Sequence, residues 1–306
     1  MTMNFATARE MRPYLAEPKA MPVGSPGKTG YLRLGFELDA EGRSVMRDWE
    51  RRAPLIVQQE LYFDEAMPEM PCVYILSSGG PNVDGDRYEQ NFTVRRDAYA
   101  HISTGAATKL AEMRHNYSGL RQRFELEENA YLEYLPEPTI PCAHTRFIAD
   151  TEIRIAPSAT LFYSEIYMSG RKYFRDGERF RYDILSVCTR AERPDGERLF
   201  REKFVVRPAE HTPATLGVMN GYDVFANVIV LTPSEQADRI YERTEAFIDR
   251  DRKLAAGITR LPGDCGLLYK ALGEETGPVK RLVREFCSTV RMQVKGKPLP
   301  EEFPWR

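Results

Sequence analysis

The sequence predicts a mainly β protein: a β-helical or stacked-sheet body of many strands, closed by two C-terminal α-helices. Three observations carry that expectation. Apolar residues recur with a period of two through much of residues 31–231, and turn-forming residues punctuate the runs. The period lengthens to that of a helix only after Leu231, so no helix separates two strands in a βαβ rhythm.

The first run, YLRLGFEL (31–38), puts Leu32, Leu34, Phe36 and Leu38 on one face and Arg33 and Glu37 on the other, the mark of a half-buried strand. PLIVQQELYF (54–63) repeats the pattern with Leu55, Val57, Leu61 and Phe63, and CVYIL (72–76) is a short apolar run that stops at a Gly-Gly turn. RFELEENAYLEYL (123–135) alternates through Phe124, Leu126, Ala130, Leu132 and Tyr134. Further strands fit EIRIA (152–156), TLFYSEIYM (160–168), RFRYDILSV (179–187), LFREKFVV (199–206) and YDVFANVIVL (222–231), with turns at Gly170, Gly177 and Gly196.

After Leu231 a helical stripe takes Ala237, Ile240, Tyr241, Thr244, Phe247, Ile248, Leu254 and Ala255, with Ser234 or Thr232 as cap and Gly257 as stop. A second helix is written in residues 277–296, Pro278 near its start and Val279, Leu282, Val283, Phe286 and Val290 inward. No linker divides the strands. The chain reads as one domain over 1–306: a strand-rich body at 25–232, a two-helix segment at 233–295 and an extended tail at 296–306, with Trp305 as an anchor.

The totals narrow the function. The chain has 306 residues, 42% hydrophobic and 29% charged, enough for a real core. A net charge of −2 gives no bulk attraction to nucleic acid or anionic lipid. No apolar run nears the ~18 residues that span a bilayer. The N-terminus has no apolar signal region, and five scattered cysteines without paired spacing fit a reduced, cytoplasmic protein.

Four stretches hold candidate chemistry. SSGGPNVDGDRYEQ (77–90) is too acidic for a phosphate cradle and lacks the closing Glu of a calcium loop. It reads as a turn whose Asp84 and Asp86 either cap backbone amides or are held out for a partner or cation. Glu165 falls in a strand buried on both faces, so its carboxyl must be neutral, paired or coordinating. Arg171 is a candidate partner, and the alternative is a functional carboxylate lining a cavity. His101 and Ser103 lie two apart without a nucleophile-elbow motif, and Cys142 with His144 lacks the second pair of a closed zinc site.

Read together, these stretches resemble the UreD (also UreH) family of urease accessory proteins. SSGGPNVDGD resembles the family's glycine–glycine…glycine–aspartate motif, TGAATKLAEM (104–113) its threonine–glutamine–alanine…lysine stretch, and YLEYLPEPTIPCAHTRF (131–147) its Leu-Pro-x-Pro-x-Ile segment. SEIYMSGRKYFRDGERFRYD (164–183) resembles its Glu…Gly-Arg…Gly-Glu-x-Phe block, and GLLYKALGEETGPVKRLVREF (266–286) its closing leucine-rich helix region. Order and spacing match over roughly residues 30–295; Gly105 stands where the family usually has Gln.

The resemblance implies a β-helical body with two helices and no catalysis. It implies binding to the urease structural subunits and to UreF, and through UreF to the GTPase UreG, with no tightly bound cofactor and nickel in transit through the interior. By motif position the transit role falls on Asp84, Asp86 and Glu165, supported by Thr104, Lys109 and Arg171. Partner binding falls on the C-terminal helices and tail, at Phe247, Ile248, Phe286 and Trp305. Two other readings stand beside it: a stand-alone hydrolase using Glu165 or His101, and a structural or ligand-binding β protein with no metal role.

Overall fold

The alternating runs form two sheets packed face to face. The computed structural model describes residues 8–18 and 26–300, so Trp305 and the end of the tail lie outside the described residues. The strands run β1 (Thr29–Leu38), β2 (Ser44–Arg52), β3 (Leu55–Ile56), β4 (Cys72–Ser77), β5 (Arg87–Val94) and β6 (Tyr99–Thr104). Next come β7 (Thr108–Leu110), β8 (Ser118–Leu126), β9 (Tyr131–Tyr134), β10 (Thr139–Pro141), β11 (Arg146–Ile155) and β12 (Thr160–Met168). The last part holds β13 (Ile184–Glu192), β14 (Arg198–Val206), β15 (Val224–Leu231), α1 (Ser234–Glu242), β16 (Phe247–Asp249), β17 (Leu254–Arg260), β18 (Gly266–Gly273) and α2 (Thr276–Lys295).

One sheet has seven strands in the order β14-β13-β11-β8-β5-β1-β2; the other has eleven, with β16-β17-β18-β15-β12-β9-β6-β4-β3 as its main path. Between them the chain climbs in parallel rungs. β5–β6, β8–β9 and β11–β12 each give one strand to each sheet, pairing with the rung below. Gln90, Gln122 and Thr151 stand side by side across three rungs. The mainly β, stacked-sheet architecture with two helices is as the alternation predicts.

The rung corners explain one departure. RFELEENAYLEYL is not one strand: it turns at residues 127–130, with Asn129 in the left-handed region at φ 60. Asn129 donates its side-chain amide to Asp97 of the neighbouring corner at 2.8 Å and its backbone amide to Ser158 of the next at 3.0 Å. Asp97 is left-handed too, at φ 62. Asparagine and aspartate tolerate this conformation because their side chains bond locally. The alternation survives the corner, so the turn is invisible to periodicity.

Two other expectations are corrected. In residues 54–63 only Leu55–Ile56 form a strand, with Leu61 held by a single bridge to Cys72. The first helix stops at Glu242, not near Gly257. Thr244 turns its hydroxyl back onto the Ile240 carbonyl at 2.8 Å, and Phe247, Ile248, Leu254 and Ala255 instead form the β16–β17 hairpin. That hairpin pairs with β18, which occupies the GLLYKALG stretch assigned to a helical region. Sheet pairing overrides a local 3.6 period when a partner edge is present.

The main core lies between the sheets, around Leu32, Leu34, Phe36, Phe92, Phe124 and Tyr163. A second core lies where both helices cover the outer face of the larger sheet. There α2 buries Val279, Val283, Phe286, Cys287 and Val290, a stripe spaced at three and four residues, and ends at Gly296 with φ 67. The five cysteines are buried free thiols.

Candidate functional site: an internal cavity with a buried carboxyl

Below Tyr134 the strand β9 ends, and β12 runs on beside the short β10 in place of a full neighbour. The interior opens there into a cavity of about 410 Å³. Its floor carries Glu165, Tyr163 and Tyr167 from β12, and its inner wall Gln90 and Gln122 from the seven-stranded sheet. Its mouth is framed by residues 80–82, 104–109 and 136–137.

Glu165 is 8% exposed. Its Oε1 accepts from the phenols of Tyr163 at 2.8 Å and Tyr167 at 3.0 Å. Its Oε2 has no hydrogen-bond partner among the described residues. Burial pushes the carboxyl up to about 7, against the Tyr163, Tyr167 and Asn227 side chains, which favour the ionised form. Asn227, opposite in the strand register, donates to Glu202 at 2.7 Å.

A polar network continues from this floor across the interior. Tyr163 OH, whose one proton the shorter bond gives to Glu165, also lies 3.2 Å from Gln122 Oε1 and 3.1 Å from the Thr151 hydroxyl. The Gln122 amide donates to Gln90 and Tyr134, each at 2.8 Å. One carboxyl oxygen is the open end of an otherwise satisfied chain, a high-cost feature in a dry interior.

Structure brings part of the predicted set together. Glu165, Thr104 and Lys109 all line this cavity. Asp84 and Asp86 lie beside its mouth, but they face into protein. Asp84 accepts from the backbone amides of Arg114 at 3.3 Å, His115 at 2.9 Å and Asn116 at 2.6 Å. Asp86 accepts from the amides of Lys28 and Val83 at 2.9 Å and from Tyr88 OH at 3.1 Å, and pairs with Lys28 Nζ at 2.9 Å. Of the two expected roles these contacts realise the capping one. With Asn82 bridged to Leu110, Asp84 stitches the glycine-rich loop to residues 109–116, while Asp86 ties it to Lys28. Gly80 and Gly85, at φ 67 and 79, supply turns that a side chain would strain.

Arg171 is not the partner of Glu165. The chain leaves the sheet at Gly170, and Arg171 grips Glu178 through two bonds of 2.6 Å while stacking on Phe174. It lines a separate cavity of about 330 Å³ with Lys172, Asp223 and Glu275. Phe286 is also corrected as a partner contact: it stacks on Tyr269 at 4.3 Å inside the helix–sheet core. Phe247 and Ile248 are exposed, Ile248 at 75%, on the edge strand β16.

His101 and Ser103 do not meet. Ser103 donates to the Leu135 carbonyl at 2.7 Å, while His101 Nδ1 bonds Glu133 at 2.8 Å. Glu133 belongs to a fully buried network that periodicity passes over. Arg291, 0% exposed, donates to both Glu133 oxygens at 2.7 Å and pairs with Asp64. Burial pushes the Glu133 carboxyl up, but the Arg291 charge and hydrogen bonds overcome it and hold it far below the ordinary range. Arg291 continues the α2 stripe four residues after Cys287, and a charge at a core position is the signal that marks it. Gln90 shows the same signal, sharing a strand face with Tyr88, Phe92 and Val94.

Cys142 is buried and His144 bonds Asp183 at 3.2 Å on the surface. Among the described residues no three His, Cys, Asp or Glu side chains are grouped to hold a metal, and no helix is long and apolar enough to cross a membrane.

The family model described as UreD urease accessory protein matches residues 28–306. The chain is similar to the urease accessory protein UreD 2 of Brucella suis, 47% identical over 298 residues, covering 97% of this chain and 98% of that protein. The UreD 2 protein of Brucella abortus strain 2308 is 47% identical over 300 residues, with the same coverage. The urease accessory protein UreD of Yersinia enterocolitica is 45% identical over 305 residues, covering 98% of this chain and 93% of that one. With a family match over nearly all its length and relatives this close, the chain belongs to the UreD family of urease accessory proteins.

Proposed function

We propose that this chain is a non-catalytic cytoplasmic assembly factor that scaffolds nickel delivery to apo-urease. In this reading it binds the urease structural subunits and the UreF–UreG machinery, and nickel passes through the interior cavity as cargo. The observation that carries the reading is Glu165, a buried carboxyl that lines that cavity and has one oxygen without a hydrogen-bond partner among the described residues. A carboxyl that titrates near neutral pH exchanges a proton for a cation readily. Oxygen donors hold nickel less tightly than imidazole or thiolate, which suits an ion that is handed on. Thr104 and Lys109 act at the mouth, and Asp84 and Asp86 act by bracing the loop that frames it. Phe247 and Ile248 supply an exposed apolar edge for a partner.

The test is nickel-dependent urease activation in cells lacking this chain. The wild-type chain restores activity and Glu165→Gln restores far less while expressing as a folded protein. Equal rescue by Glu165→Gln removes the transit role. A pulldown that recovers neither urease subunits nor UreF removes the scaffold role.

A further inference from the structure

We propose that the cavity has an outlet between β14 and β18, gated by Asn227 and Glu202, through which an ion taken up at Glu165 leaves. The outlet rests on the transit reading above and names the residues on its far side.

The cavity floor continues into a polar layer that crosses the interior. On the seven-stranded sheet Gln122, Thr151, Thr189 and Glu202 stand side by side in register, from β8 to the edge strand β14. On the larger sheet Glu165, Asn227 and Lys270 do the same from β12 to β18. The layer parts two apolar cores: Thr151 falls between Ala149 and Ile153, Thr189 between Val187 and Ala191, and Glu202 between Phe204 and Phe200. The two rows meet at the outer end. Asn227 Nδ2 donates to Glu202 Oε2 at 2.7 Å, and Lys270 Nζ donates to Glu202 Oε1 at 2.6 Å. Glu165 and Asn227 are buried, Glu202 is half-buried and Lys270 is exposed, so the layer runs from the cavity to solvent.

A polar layer that only fixed the register of the strands would be closed on itself by hydrogen bonds. This one is not. Glu165 Oε2 and Asn227 Oδ1 belong to directly opposed residues, and both are buried acceptors without a hydrogen-bond partner among the described residues. Neighbouring acceptors without a donor are a deficit that a cation fills. The Asn227 amide nitrogen marks where the cation would stand, 2.7 Å from a Glu202 oxygen and beside Glu165. Half a turn of the amide brings its oxygen to that place and frees Glu202 Oε2, the oxygen that Lys270 does not hold. The neutral amide thus closes the outlet when it is empty. It becomes an oxygen ligand when an ion passes from the interior carboxylate to the outer one.

Two measurements on the full-length chain test the outlet: isothermal titration with nickel chloride, and nickel-dependent urease activation in cells lacking this chain. Asn227→Asp puts a third carboxylate at the crossing and is expected to tighten nickel binding about tenfold, as an added charge at a desolvated site does. Asn227→Asp/Glu202→Gln is expected to return most of the way to the wild-type affinity. Asn227→Leu, similar in size but without a polar atom, and Glu202→Gln are each expected to lose most of the activation. Thermal melting of each variant reports folding, and Glu202→Gln, at a half-buried position, carries the test if an Asn227 variant does not fold. Wild-type activation by folded Asn227→Leu or by Glu202→Gln overturns the outlet, as does unchanged affinity in folded Asn227→Asp. If the outlet fails in this way while Glu165→Gln still abolishes activation, the transit reading survives without it. If Asn227→Asp tightens nickel but Glu165→Gln activates fully, the cation site stands and the transit reading falls.

Discussion

Glu165 pays for its position in a way that pH reveals. Folding raises its pKa from an ordinary 4.5 to about 7, chiefly by burial. The native chain therefore keeps the proton to higher pH than the unfolded chain does. The corresponding stability is fully present below about pH 4.5 and is lost as pH rises through about 7. Glu165→Gln removes that loss. Its unfolding free energy relative to wild type should rise by about 3 kcal/mol between pH 4.5 and pH 8, at about 1.4 kcal/mol for a tenfold change in acidity. Urea unfolding at both pH values measures it, and a difference between the two chains that does not change with pH contradicts the buried, unpaired oxygen. The position was legible, because an acid inside an unbroken apolar strand has few explanations. Its partners were not: two tyrosines on its own strand hold it, where Arg171 had been the nearest charge in sequence.

At the scale of elements, α2 is bound to the body by apolar packing and by one buried charge. Arg291 satisfies Glu133 and Asp64 together, and neither acid reaches water. Arg291→Met leaves two uncompensated carboxylates in the interior and should cost about 3–5 kcal/mol, read as a lower urea midpoint. A change under about 1 kcal/mol on that scale means the acids find other partners. The helix was legible from its stripe and its Gly296 stop. The β16–β17 hairpin was not, because Phe247, Ile248, Leu254 and Ala255 satisfy a helical period as well as an edge-strand pairing. Only the free edge of β18 decides between them.

Across the whole molecule, the parallel rungs create both the core and its gap. Three rungs align Gln90, Gln122 and Thr151 at intervals of 32 and 29 residues, and the shortened β9 leaves the space that Glu165 lines. Filling the mouth should block passage without harming the core. Ala107, half-buried at the rim, is the place to do so. Ala107→Trp is expected to keep stability within about 0.5 kcal/mol, as half-buried surface substitutions usually do, yet to abolish nickel-dependent urease activation. Full activation with the rim filled contradicts passage through this cavity.

The sequence by itself determined which residues face inward, since a period of two or of 3.6 is a local property of the chain. It also determined the family, through short motifs kept in order along the chain. The tertiary structure alone decided that Glu137 meets Lys280 and that Arg291 meets Glu133, across 143 and 158 residues. It alone decided that Asp84 and Asp86 turn inward to backbone amides. Those outcomes depend on how the rungs stack and where the helix lands, and no spacing within a single segment records that.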